Sequence, residues 1–515
     1  MLEDRARECK RFVILGWLDR YWYLLLLAVS PATLQVLYPK LGFNPTDDGF
    51  ILAYSRRILE GQIPHIDFIS IRPVGSAILH LPVVLIGGEY TLYLSRLFVW
   101  FQLSFASVAA ITVAEKLLKI RLNCVVKILL VLISTYLSAH TFPIMAWHTI
   151  DGIFLISLGL LFSIRDSGKS KLIGYFIIGL AYICKQNYLP LAFVTPFILG
   201  DHKRWQNWLI LALPGLIYIL PGLLYGEIST LISQLVTQSD IKSSGLLAYT
   251  NNIDFLQKTI VGLVAFYLLF LPSLKVRGSN IALGFILGSL FILWSIQQSL
   301  ASISEGNYLS LTSFQLAGLS LGALIYLMIH YKRYGRLLKL ASLFLLLAWS
   351  SSISLGYNSP ALASGLFVIL MVVLIIYAFP IDQMPMIKYI QRSIFIVILL
   401  WITWYGSISF NDARKSMIYR ETPAQTLNYS LSGVVFGLRG IHTDQNTYHL
   451  FVDLDETVKK LNGQKYAIIP ETAIYWVKSE EVNPLPIDWP LALELNLVAE
   501  KSQEALSINL QITVV

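Results

Sequence analysis

Tyr182-Ile183-Cys184-Lys185-Gln186-Asn187-Tyr188-Leu189 interrupts an otherwise apolar stretch between residues 172 and 200. If 172–200 were one crossing, every basic cluster after it would fall on the opposite side from those before it. If Lys185-Gln186-Asn187 is a polar hairpin between two short spans, 172–184 and 188–200, the clusters stay on one side. Short loops on the cytoplasmic side are enriched in Lys and Arg, so the hairpin is preferred. The remaining apolar runs are 21–39, 91–114, 124–142, 150–164, 206–225, 258–273, 281–300, 311–330, 340–356, 361–379 and 393–409. With the N-terminus inside, the inner loops carry Lys116, Lys119 and Arg121; Arg165, Lys169 and Lys171; Lys203 and Arg204; Lys275 and Arg277; Lys332, Arg333, Arg336 and Lys339; and Lys388 and Arg392. The short outer loops 143–149, 301–310 and 357–360 carry neither Lys nor Arg.

The composition agrees. Of 515 residues, 56% are hydrophobic and 14% charged, and mean hydropathy is +0.64. Soluble domains carry about 25% charged residues, so the expectation is an α-helical polytopic membrane protein with about 13 transmembrane helices. The net charge of +8 sits in loop clusters and not in one basic face, which argues against nucleic acid as a partner. Cys9, Cys124 and Cys184 are far apart, and neither a disulfide nor a thiolate metal site is expected. The first apolar run follows Arg5, Arg7, Lys10 and Arg11 without a small-residue cleavage site, so it reads as a retained helix. Residues 1–409 form the membrane domain, with a first external loop at 40–89 containing a short amphipathic helix at 50–60. Residues 410–515 read as a small extracytoplasmic α/β domain: a helix from Asp453 to Leu461, a strand at 466–470, a helix from Thr472 to Lys478, a turn at 483–486 and a closing strand from Ser507 to Val515.

Charge in the outer loops is concentrated at Thr46-Asp47-Asp48-Gly49-Phe50 and, further on, at Asp67. Acids beside a spanning segment are costly unless they face water or do chemistry. Carboxylates gathered in a dry cleft raise one another's pKa, which makes one of them a competent proton acceptor near neutral pH. Asp47 and Asp48 are adjacent and point apart, so two different tasks are expected; capping of the following helix is the alternative for either. Gly61 and Pro64 give Asp67 a turn-rich path back towards the pair. Lys185, Arg72 and Arg96 are cations on the side the chain otherwise keeps free of them. Arg96 has a structural reading as a snorkelling residue, and Arg72 as a partner of Asp67. His148 and Asp151 lie on one helical face, with the chemistry to complete a divalent-metal site. Glu305 stands in a neutral outer loop, as an acceptor contact or a helix cap. His65, His80 and His140 read as satisfied core or interfacial side chains.

The acidic pair after the first span, followed by Gly61-Gln62-Ile63-Pro64-His65-Ile66-Asp67-Phe68 and by Lys185 in a hairpin after the fourth span, resembles the C-type (GT-C) membrane glycosyltransferases. The family-39-like branch is the nearest in pattern, with its protein O-mannosyltransferases and lipid A aminoarabinose transferase. His65 stands where those proteins usually have Tyr, and the Arg they often carry near Asp151 is missing. The resemblance covers residues 15–200 and later spans by topology. It implies transfer of a sugar from a polyprenyl-phosphate donor to a glycan, lipid or protein acceptor at the outer face, with inversion. Asp47 would be the base, and Asp48 its companion. Lys185, Arg72 and Arg96, with Asp67 and His65, would lie around the lipid phosphate. The branch generally needs no cofactor, and a bacterial inner membrane is the implied location, N-terminus cytoplasmic and tail periplasmic. A membrane polysaccharide polymerase or ligase using lipid-linked glycans is the nearest alternative. A secondary transporter is disfavoured, since no inverted repeat is visible.

Overall fold

The structure, a computed structural model, describes residues 21–38, 43–140, 144–236, 249, 251–270, 280–304, 311–352, 359–378, 385–416, 422–461, 464–468, 472–488 and 513–514. A helix stands at every apolar run. The first ten helices are α1 (Tyr21–Leu37), α2 (Phe50–Leu59), α3 (Gly75–Ile86), α4 (Thr91–Leu118), α5 (Cys124–Ala139), α6 (His148–Ser163), α7 (Gly168–Cys184), α8 (Leu189–Leu199), α9 (Trp205–Leu224) and α10 (Ile228–Val236). Further helices follow at Ile253–Phe270, Asn280–Ser304, Leu311–Ile329, Tyr331–Ser352, Ser364–Ala378 and Pro385–Ala413. Among the described residues, seven are long and apolar enough to cross a membrane by length and composition. The chain is a mostly α-helical polytopic membrane protein. Helix α9 leaves Leu209, Leu216, Ile217, Leu220 and Leu223 exposed, the face that lipid covers in a bilayer.

The interruption at Lys185 is a hairpin. Helix α7 has 17 residues and so runs about 25 Å; a straight continuation through α8 would carry Asp201 far beyond its start. Instead Lys171 Nζ, near the start of α7, is 2.6 and 2.9 Å from the Asp201 carboxylate. Tyr175 donates to the same carboxylate at 3.0 Å. Lys127 pairs with Glu115 at 3.0 Å at the same end of the helices. Here the basic loops collect. The acidic loop lies at the other end.

That other end is more structured than the sequence suggests. Residues 75–86 of the first loop are helical: α3, too short at 12 residues to be read as a span, packs its Gly75 against the end of α7. A Cβ on Gly75 would lie 2.4 Å from the Ile183 carbonyl oxygen. Helix α2 matches the expected amphipathic helix, but Arg57 on its polar side is buried.

The C-terminal region is small and contains β structure. Two short strands, β1 (Tyr429–Ser430) and β2 (His442–Thr443), pair antiparallel. Two more, β3 (Tyr466–Ala467) and β4 (Thr513–Val514), pair in parallel. The tail helix spans Gln445–Lys460 and starts well before the expected Asp453, because Asp444 caps it by accepting from Asn446 N and Thr447 N at 3.0 and 3.1 Å. The helix expected at 472–478 is a 3-10 turn, Ala473–Val477. At 483–486 the turn forms, with Asn483 Oδ1 accepting from Leu485 N at 3.1 Å.

Candidate functional site

The acidic loop is built by Asn44. Its side-chain oxygen accepts from Thr46 N at 3.0 Å and Asp47 N at 2.9 Å, and its backbone N–H donates to Asp48 Oδ2 at 2.9 Å. Asn favours such local turns because its short amide mimics a backbone group. The sequence carried a signal for this in the Asn44-Pro45 dipeptide, which the reading above passed over. The two carboxylates end up 0% and 1% exposed. Asp48 faces Arg96, itself buried on the first turns of α4, with Nη2 at 3.4 Å from both carboxylate oxygens. Arg96 therefore does not snorkel; it is committed to Asp48. Burial pushes the Asp48 carboxyl above the ordinary carboxylate range, against the opposing pull of Arg96 and the Asn44 amide.

From the tail side, the 3-10 turn seats on this loop. Ile474 N donates to the Pro45 carbonyl at 3.3 Å, and Gly49 lies so close that a Cβ there would be 2.0 Å from Ile474 N. Only a residue without a side chain fits.

Beyond Gly49, the Phe50 ring lies 5.3 Å from Trp147 and 6.2 Å from His148, both edge-on. These open α6, and Lys185 reaches them from the hairpin, with Nζ donating to Thr149 Oγ1 at 2.8 Å. Lys185, Arg72 and His148 are all buried. The charges of Arg72 and Lys185 act on His148, and that of Arg72 acts on Lys185. Phe50, two residues after Asp48, thus packs against the start of α6, where the buried Lys185 is anchored.

Other sequence candidates go elsewhere. Asp67 does not fold back to the pair: it is exposed and its carboxylate accepts from Ile63 N at 2.6 Å. Asp151 is buried and held by other side chains than His148: Gln102 Nε2 donates to its Oδ1 at 2.6 Å and His80 Nε2 is 3.1 Å from the same oxygen. His65 is a structural tie. Its ring bonds Gln234 Oε1 at 2.8 Å and Tyr218 Oη at 2.5 Å, joining the first loop to α9 and α10. Burial pushes its pKa down to about 4. Glu305 lies outside the described residues. Among the described residues no group of three His, Cys, Asp or Glu side chains is arranged to hold a metal ion.

Three contacts escaped the sequence reading. Gln102 and His80 hold Asp151, and Arg57 reaches Asp488 in the tail at 2.5 Å. No partner stands near in sequence, so no local pattern announces them. Beside Arg57, Asp67 and the turn at 483–486 lies a cleft of about 340 Å³. Compared with known proteins, the chain matches no protein-family model, no curated protein and no solved structure.

Proposed function

We propose that the chain is an integral-membrane glycosyltransferase of the GT-C type, moving a sugar from a polyprenyl-phosphate donor to an acceptor hydroxyl. The observation that carries this reading is the burial of both acids, Asp47 and Asp48, in a loop whose Phe50 ring meets His148 beside Thr149, to which the buried Lys185 donates. Transfer needs both a base and a cation. Asp47 takes the proton of the acceptor hydroxyl as its oxygen forms the new bond to the anomeric carbon. The bond from that carbon to the phosphate oxygen breaks with its electron pair, and inversion follows from attack on the opposite face. The departing phosphate gains charge, which fixed cations in a water-poor site stabilise strongly. Asp48, held by Arg96, keeps the loop's geometry and its field. The reaction belongs on the outer face of a bacterial inner membrane, with the basic loops cytoplasmic and the tail periplasmic.

The test supplies purified protein in detergent with radiolabelled polyprenyl-phosphate sugars and a panel of lipid, glycan and peptide acceptors. Transfer is expected from the native chain and a loss of about 100-fold or more in Asp47→Asn, the usual scale for a missing general base. Undiminished transfer in that variant removes Asp47 from the base role. A parallel arm with chelator decides the metal question: loss of turnover there, restored by a divalent cation, would establish a metal requirement.

A further inference from the structure

We propose that the cleft between the first loop and the C-terminal region binds an uncharged oligosaccharide, the far end of a glycan acceptor whose reacting hydroxyl lies at the acidic loop. Calling the ligand an acceptor rests on the glycosyl-transfer reading; the preference of the cleft for neutral sugar rests on four observations.

The first is placement. The first loop and the C-terminal region meet at Gly49 and Ile474, beside the acids, and again at Arg57 and Asp488, beside the cleft. Helix α2 joins the two meeting points. At about 1.5 Å of rise per residue, Arg57 lies about 12 Å along the helix from Gly49. An oligosaccharide bridges that distance and a single sugar does not.

The second is a wall already in place. The cleft holds about 340 Å³, at the small end of ligand sites. Behind Arg57, Asn483 Nδ2 donates to Asp488 Oδ1 at 2.8 Å. Tyr466, also in the wall, stacks on Trp476 with ring centroids 5.3 Å apart. Side chains fixed before binding lose little freedom when a ligand arrives.

The third is charge balance. Arg57 and Lys465 line the cleft together with Asp67 and Glu481, and the Arg57 guanidinium is already engaged with Asp488. An anion drawn to Lys465 meets two carboxylates, and a cation drawn to those meets Lys465 and Arg57. A neutral ligand meets neither repulsion.

The fourth is the kind of hydrogen-bonding group on offer. Main-chain groups of the walls bond within the fold: Ile69 N donates to the Pro486 carbonyl at 2.7 Å, and Leu485 N to Asn483 Oδ1 at 3.1 Å. A peptide adding as a strand needs an open main-chain edge. Side chains remain. Lys465 and Glu481 are exposed on the rim. Arg57 Nη1 donates to Gln62 Oε1 at 2.9 Å, which leaves the amide nitrogen, a double donor, for a ligand. Asp67 accepts from Ile63 N through Oδ2 and has further acceptor capacity. Donors and acceptors interleaved in this way match hydroxyls, each of which both donates and accepts. Pro484 and Pro486 add apolar surface for the C–H face of a pyranose.

The experiment is calorimetric titration of the full chain, in a detergent without a sugar headgroup and with no donor present. The probes are chitotetraose, mannotetraose, maltotetraose, tetragalacturonate and tetra-alanine. At least one neutral tetrasaccharide should bind, and Lys465→Ala and Glu481→Ala should each weaken it about tenfold, the scale of one hydrogen bond to a charged group. Both side chains are exposed, so native melting temperatures should accompany both losses; losses that track lower melting temperatures overturn direct contact at the rim. Binding of no neutral tetrasaccharide overturns the proposal, as does native affinity in both variants. Tighter binding of tetragalacturonate overturns the neutral ligand, and binding of tetra-alanine alone replaces the glycan with a peptide. The same tetrasaccharides then enter the transfer assay, which separates the two readings. Binding without transfer from any glycosylated carrier ends the transferase and keeps the cleft. Transfer to lipid or peptide acceptors by a chain that binds no tetrasaccharide does the reverse.

Discussion

Arg57 on α2 and Asp488 in the tail form a two-pronged ion pair, Nε to Oδ2 at 2.5 Å and Nη2 to Oδ1 at 3.1 Å, with the side chains 3% and 1% exposed. Arg57 also donates to the Leu485 carbonyl at 2.5 Å and to Gln62 Oε1 at 2.9 Å. Ile69 N donates to the Pro486 carbonyl at 2.7 Å beside them. The first loop and the tail are thus locked through buried charge. Removing one partner leaves the other uncompensated, and Asp488→Ala should cost about 3–5 kcal/mol. The double change Arg57→Met with Asp488→Leu should recover most of that loss. Chemical denaturation in detergent measures both, and limited proteolysis should cut the tail faster in the single variant alone.

Asp48 has a pH signature. Its folded carboxyl titrates above the ordinary value because of burial, so the folded state favours the protonated form. The stability it contributes is present below the ordinary carboxylate pKa and is lost as pH rises through the raised value. Asp48→Asn should flatten that part of the stability profile. Arg96→Met removes the opposing charge and should move the transition to still higher pH. A profile in Arg96→Met that shifts downward would contradict the pairing.

His65 should show the opposite sign. Its pKa is lowered from 6.5 to about 4 by burial, so the unfolded chain takes up its proton first. Stability should fall as pH drops from about 6.5 to about 4, and His65→Gln should remove that slope. The backbone there is left-handed, with φ of 67°, a state that costs a non-glycine residue about 1–2 kcal/mol. The ring's bonds to Gln234 and Tyr218 hold it. Tyr218→Phe should therefore loosen the loop, read as faster amide exchange over residues 63–70.

Gly49→Ala tests the seat of the tail. The added carbon overlaps the Ile474 backbone, which has no flexible end to swing away. A loss of about 1–3 kcal/mol is expected, as for overpacking elsewhere, with transfer activity falling in parallel. Ile474→Ala does not relieve the clash and should not rescue it, since the contact is to main chain.

Much of the architecture was legible because membrane helices announce themselves through apolar length and loop charge. The hairpin at Lys185 is the clearest case: charge bias alone required it, and Lys171 meeting Asp201 bears it out. The acidic loop was legible as a place, through the density of Asp47 and Asp48, but its internal order was not. Asn44 acts through a turn, and Arg96 looked like any cation near a helix end. Helix α3 was hidden by its length, too short for a span and too apolar for a loop. The burial of Arg57 has no local signal, because its partner, Asp488, lies 431 positions away; pairing across such a distance leaves no periodic trace. In the tail, the helix start was misplaced because Asp444 is the cap and Asp453 only a later acid on the same helix.

The seating of Ile474 on Gly49 also sets an order of events during biogenesis. The loop that bears Asp47 and Asp48 leaves the ribosome early, whereas the segment it rests on is made near the end. Until that segment is made, the loop of Asp47 and Asp48 stands without the backing that Ile474 gives it.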